Sequence, residues 1–151
     1  MAVQTTYNER HAAAYPGMRA NLVPETVISR TVANAELGFG AVAVQAAADH
    51  EVAPATDLET GDPGGFVGIT VRDQAIDPSS PNEYRVGDTA AIMTKGTIWV
   101  QTYEAVNAGD PVYFVTATGA LGKTSASSTQ IPGARWDTST SGAGLAIVRL
   151  G

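Results

Sequence analysis

Cysteine is absent from the 151 residues, which removes disulfides, thiol nucleophiles, zinc-thiolate sites and iron-sulfur clusters from consideration. A compact chain of this length buries about two thirds of its unfolded surface, so a single domain can build a core without cross-links. Histidine is limited to His11 and His50, a thin inventory for acid-base catalysis. Basic residues are also scarce: nine Lys and Arg face fifteen Asp and Glu, for a formal charge of -6 and a pI near 4.7. That is the wrong sign for a surface that neutralises phosphates, and no nucleic-acid partner is expected. The longest mostly apolar run, Phe39 to Ala48, is about half of what a bilayer requires, so no membrane span is expected. Met1 to Ala20 contains no apolar core of signal-peptide length, which reads as a mature protein made in the cytosol. Charged residues make up 16% of the chain, against about 25% in ordinary domains. A surface destined for burial against other subunits would have this composition, and so would a weakly charged Gly- and Thr-rich β protein.

What is present divides by composition into an extended N-terminal arm, residues 1–31, and a β-rich body, residues 32–151. The arm mixes polar residues with Tyr7, Tyr15, Pro16 and Pro24 and sustains neither a helical nor a strand period, so it is expected to add little to the core. In the body, Leu37 to Val44 alternates as a strand, although Gln45-Ala46-Ala47-Ala48 has local helix propensity. Phe66 to Arg72 follows a breaker-rich loop as a second strand. Ala90 to Thr94 and Thr97 to Tyr103 flank Lys95-Gly96, a pattern that predicts a hairpin. Within the latter segment Ile98, Val100 and Thr102 share one face, and Trp99, Gln101 and Tyr103 the other. Pro111 to Thr116, Ile131 and Leu145 to Leu150 supply further strands. Gly87-Asp88 and Gly109-Asp110 each precede an apolar strand and read as corners, with Asp expected to bond the backbone that follows. Short strands with frequent turns and no amphipathic helix predict an all-β, single-domain sandwich or small barrel.

Several chemical motifs are considered and set aside. Ala117 to Thr124 fits a relaxed phosphate-loop pattern, but such a loop must open a helix, and Ser125 to Pro132 reads as an irregular stretch. Asp49-His50-Glu51 places carboxylates beside an imidazole, yet neighbours on a strand point to opposite faces and do not converge on one ion. Asp57, Glu59 and Asp62 lack the spacing of a calcium loop. No serine sits in a Gly-x-Ser-x-Gly elbow. Neither a metal nor a cofactor is expected, and the chain reads as a non-enzyme. A carboxylate-pair hydrolase would need two convergent acids in a pocket.

The order Tyr7-Asn8-Glu9-Arg10, Tyr15-Pro16-Gly17-Met18, Phe39-Gly40-Ala41-Val42, Gly65-Phe66-Val67-Gly68-Ile69, Tyr84-Arg85-Val86-Gly87-Asp88 and Gly109-Asp110-Pro111-Val112-Tyr113 resembles the structural cement proteins of tailed bacteriophages. The resemblance implies a jelly-roll-like fold and copies that associate as dimers or trimers. It further implies a virion protein, on the capsid exterior, that binds the major capsid protein and carries no catalytic residues. Tyr7, Tyr15, Met18 and Arg19 on the arm, with Trp99 and Tyr103 on the body, are of types enriched at interfaces and are the candidate contact residues. Burial of Trp99 in the core is the competing reading. A second hypothesis is a carbohydrate- or receptor-binding β-sandwich in which Trp99, Tyr103 and Trp136 stack on sugar rings.

Overall fold

The structure is a computed structural model that describes residues 13–58, 65–74 and 82–151. It is all-β, and the eleven strands among the described residues are β1 (Thr26–Val32), β2 (Leu37–Gly38), β3 (Val42–Gln45), β4 (Glu51–Pro54), β5 (Phe66–Thr70), β6 (Glu83–Tyr84), β7 (Thr89–Thr102), β8 (Pro111–Val115), β9 (Leu121–Gly122), β10 (Ser128–Trp136) and β11 (Gly144–Leu150). Nine of them form one sheet in the order β1-β4-β3-β5-β7-β11-β10-β8-β9, with β1 and β9 each also paired to β7. Those extra pairings close both halves on the shared strand: β1-β4-β3-β5-β7 is one ring, and β7-β11-β10-β8-β9 the other. The β-barrel expectation is met, and closure leaves few free edges to aggregate. β2 and β6 form a separate two-stranded ribbon.

The hairpin expected at Lys95-Gly96 does not form; β7 runs through it as one fourteen-residue strand. Up to Lys95 the strand pairs with β1 and β5, and from Gly96 onward with β11. The extra residue Thr94 bulges opposite Thr26 and Val27, and Gly96 follows at φ +130. A Cβ on Gly96 would stand 2.9 Å from Glu25 Cβ and 3.1 Å from Met93 Sδ. The glycine therefore serves a bulge with a close crossing rather than a reversal, and the strand changes partners there. The facing assignment beyond it holds: Ile98, Val100 and Thr102 are buried, while Gln101 and Tyr103 are exposed and Trp99 is half-buried.

The main core draws on both rings, including Val44, Ile69, Met93, Ile98, Phe114 and Trp136, so it runs through the molecule without interruption. A second cluster joins Val32, Val52, Ala90 and Ile92 to Leu37, Phe39 and Tyr84 of the ribbon region. Phe39 and Tyr84 meet edge to face at 5.2 Å, and the Tyr84 hydroxyl donates to the Val71 carbonyl at 2.7 Å. The strand read over Leu37 to Val44 is broken by the turn at Phe39-Gly40 into β2 and β3. Ala46 to Ala48 forms no helix.

The boundary placed at residue 31 falls inside β1. Ile28, Ser29, Arg30 and Thr31 pair with Ile92, Ala91, Ala90 and Thr89, and Ile28 packs on the second cluster. The segment looked aperiodic because the apolar residues of β1 are split between its two faces, Val27 toward the main core and Ile28 and Val32 toward the second cluster, with Ser29, Arg30 and Thr31 between them. Tyr7 and the rest of residues 1–12 lie outside the described residues.

Candidate functional site

Tyr15-Pro16-Gly17-Met18 is a tight turn closed by the Met18 amide donating to the Tyr15 carbonyl at 3.2 Å. Pro16 occupies the position that fixed φ suits, and Gly17 takes φ +83, as a type II turn demands. The turn is held on three sides. The Gly17 amide donates to the Trp99 carbonyl at 2.8 Å, the Trp99 amide to the Met18 carbonyl at 2.8 Å, and the Arg72 amide to the Gly17 carbonyl at 2.7 Å. Ala20 continues the pairing onto Thr97. A second turn, Phe39-Gly40, packs so closely that a Cβ on Gly17 would stand 2.9 Å from the Gly40 nitrogen, and one on Gly40 2.7 Å from the Gly17 nitrogen. Arg72 lies over both neighbouring rings, 5.2 Å from Tyr15 and 5.0 Å from Phe39, within cation-π range. Three of the segments that carried the resemblance thus converge here: Tyr15 to Met18, Phe39 to Val42 and the Tyr84 strand.

The outer side of this docked segment is apolar. Tyr15 is 56% exposed, Met18 39%, Val23 40% and Leu22 fully exposed. Arg19 forms an ion pair with Glu25 at 2.6 Å. Beside them a groove of about 250 Å³ is lined by Gly17, Met18, Arg19, Val71, Arg72 and Gln74. Of the candidate contact residues, Tyr15, Met18 and Arg19 are brought together, and Trp99 joins them through its backbone. Tyr103 lies just past the end of β7, four residues after Trp99, 43% exposed, beside Glu104. Leu22 and Val23 were missed; two apolar residues between Asn21 and Pro24, in a loop with no facing strand, were the available signal.

The relaxed phosphate-loop segment folds as β9 and a turn, and its anion position is already filled. Glu104 Oε1 accepts from the Lys123 amide at 2.7 Å and the Thr124 amide at 2.8 Å, while Oε2 accepts from the Thr124 hydroxyl at 2.8 Å. Burial alone would push the Glu104 carboxyl up, but the Thr124 hydroxyl, the two amides and the Tyr103 hydroxyl outweigh it and hold the group below the usual carboxylate range. Burial raises the Tyr103 phenol, and neighbouring Glu104 reinforces this against a hydrogen bond with Thr124. A Cβ on Gly122 would stand 2.4 Å from Glu104 Oε1, so the clamp also requires that glycine. The two Gly-Asp corners share one geometry that reverses the expected direction. Asp88 and Asp110 bond backward, each accepting through Oδ2 from the amide three residues earlier, Arg85 at 2.8 Å and Asn107 at 2.9 Å.

Trp136 is buried at 1% exposure, and its indole nitrogen donates to the Gly122 carbonyl at 3.2 Å. It is a core residue, which removes one of the three rings that a sugar-stacking face would need. Asp49 and His50 lie in an exposed turn between β3 and β4. Among the described residues no group of three His, Asp or Glu gathers to hold an ion.

A family model described as "Structural cement protein (E217 gp24/Pam3 gp6)" matches residues 3–151. The chain belongs to the phage structural cement protein family. A solved chain from "The capsid of Myoviridae Phage XM1" matches at a TM-score of 0.80 and 16% identity, covering 100% of this chain and 98% of that one. At that identity the likeness speaks for the fold. No curated protein matches the chain. A cement protein is a structural component of the virion that associates with capsid proteins, and the family is not an enzyme class.

Proposed function

We propose that this cement protein binds the outer surface of an assembled phage capsid and reinforces contacts between major capsid protein subunits, its copies associating as dimers or trimers. The observation that carries the reading is the apolar strip Tyr15, Met18, Leu22 and Val23, displayed on a segment that four backbone hydrogen bonds hold to β7 and Arg72. An exposed Leu, Met and Tyr cost solubility unless a partner covers them, and such residues supply most of the energy at interfaces. The segment is pre-ordered, so docking does not have to fix a free chain. A shell under outward pressure from packed DNA gains strength from contacts that bridge adjacent subunits, and many weak copies sum by avidity. An acidic protein fits the outside of such a shell better than its DNA-filled interior.

The test is decoration of capsids assembled without this protein, followed by sedimentation and electron microscopy. The expected result is density on the exterior across subunit seams and a shell that survives more heating than the bare one. Leu22→Asp should leave the melting temperature almost unchanged, because Leu22 is fully exposed, and weaken decoration about tenfold or more. Decoration by Leu22→Asp at wild-type strength, or density inside the shell, would overturn the reading.

A further inference from the structure

Charge is distributed unevenly between the two rings. From Thr31 to Val71 the sequence carries Glu36, Asp49, Glu51, Asp57, Glu59 and Asp62 and not one Lys or Arg. Among the described members, Glu36, Asp49 and Asp57 are exposed and Glu51 is half-buried. They line the β1-β4 side of the first ring, where Thr31 pairs with Glu51 and Asn34 donates to Asp57 at 2.8 Å. Arg30, one residue before that pairing, is the nearest base in sequence, and its guanidinium donates to the Ser29 carbonyl.

The second ring holds the opposite feature. Arg135 on β10 and Arg149 on β11 stand directly opposite each other, and both are exposed. Like charges facing across a ladder destabilise a sheet. Among the described residues neither guanidinium has an ion-pair or side-chain hydrogen-bond partner, although Asp137 follows Arg135 by two residues, just past the end of β10. A protein with an excess of carboxylates thus leaves two adjacent arginines without a partner among its described residues. The acidic β1-β4 side cannot match them within one chain: Arg149 is in register with Thr97, and Thr31 with Thr89, so roughly 25 Å of β7 separates the row from that side. That is about three Debye lengths at physiological salt.

We propose that copies of this chain associate through a charge-complementary contact in which the Arg135–Arg149 row of one protomer receives the acidic β1-β4 side of its neighbour. The proposal rests on the self-association named above and supplies its contact. Net repulsion between two acidic protomers acts over a molecular diameter and is screened away at about 0.15 M salt, whereas pairs in contact keep most of their attraction. The half-buried Trp99 and Leu145 lie on the facing strands β7 and β11 beside the arginine row, and give the contact an apolar element.

The test is sedimentation velocity of the full chain at 0.15 M and 1 M salt, for the wild type and two reversed variants, Arg135→Glu/Arg149→Glu and Asp49→Lys/Glu51→Lys. The expected result is association at 0.15 M that weakens in 1 M salt and falls about tenfold or more in each variant alone. An equal mixture of the two variants should recover it, since each reversed patch then meets its complement; a general loss of folding could not produce that recovery. A wild type that stays monomeric under all conditions would overturn the contact and the self-association together. Association that persists unchanged in both variants would overturn the contact alone. Variants that associate normally but no longer decorate capsids would assign the arginines to the shell, and would also overturn it.

Discussion

Gly17→Ala tests whether the turn is locked to the body as the structure has it. An alanine at φ +83 costs about 1 kcal/mol in the left-handed region alone. Its Cβ would also stand 2.9 Å from the backbone nitrogens of Arg72 and Gly40 and 3.0 Å from Phe39 Cβ. Backbone on two sides cannot rotate away as a flexible side chain can, so the segments must part. Parting stretches the bond from the Arg72 amide to the Gly17 carbonyl and the bond from the Gly17 amide to the Trp99 carbonyl, each of which contributes about 1 kcal/mol net. Together these give about 3 kcal/mol, or a melting temperature lower by about 6–12 °C for a chain of this size.

The loss has a ceiling, since the segment can peel off locally once that is less costly than staying docked. Thermal unfolding should therefore be read with hydrogen exchange at the Trp99 and Arg72 amides, whose acceptors are Met18 and Gly17. Both amides should lose protection in Gly17→Ala even if the rest of β7 keeps its own. Gly142→Ala is the matched control, because a Cβ there meets nothing within 4 Å, and it should melt within a degree or two of the wild type. A Gly17→Ala protein with wild-type melting and intact protection at both amides would refute the locked turn.

Three further outcomes follow from the same geometry. Trp136→Ala removes a fully buried ring and leaves the Gly122 carbonyl without its donor, and should destabilise by about 3–5 kcal/mol in denaturant unfolding. Glu104→Gln should destabilise at neutral pH. Because the folded carboxyl titrates below its unfolded value, its contribution is present above the unfolded pKa and lost as pH falls through the folded one, so wild type and variant should converge in acid. A chain beginning at Val32 lacks all of β1 but its last residue, uncovers the part of the second cluster that Ile28 packs against, and should fail to give a cooperative melt.

The fold class was legible because it rests on local signals: Ile98, Val100 and Thr102 alternate, Gly-Asp pairs make corners, and no segment carries the pattern of an amphipathic helix. What was illegible depended on partners distant in sequence. Lys95-Gly96 has the composition of a hairpin turn, and only the crossing of Glu25 and the bulge opposite Thr26 show why the glycine is there. β1 lacks a strong apolar alternation of its own, since its stability comes from pairing with residues about sixty positions away. Trp136 looked like a ring available for stacking, because sequence cannot say which side of β10 faces the core.

The candidate surface was half legible for a related reason. Tyr15, Met18 and Arg19 could be named as interface types, but aromatic and methionine residues serve cores equally well, and composition alone does not separate the uses. The separation comes from Gly17 and Gly40. Their mutual contact brings the arm's backbone close against the body, with Pro16 packed beside Gly40, while Tyr15 and Met18 stay exposed. Two glycines twenty-three residues apart therefore decide that Tyr15 and Met18 are displayed rather than buried. A larger residue at either position would alter the displayed surface without touching any residue on it, which is why the turn and the surface have to be tested as one unit.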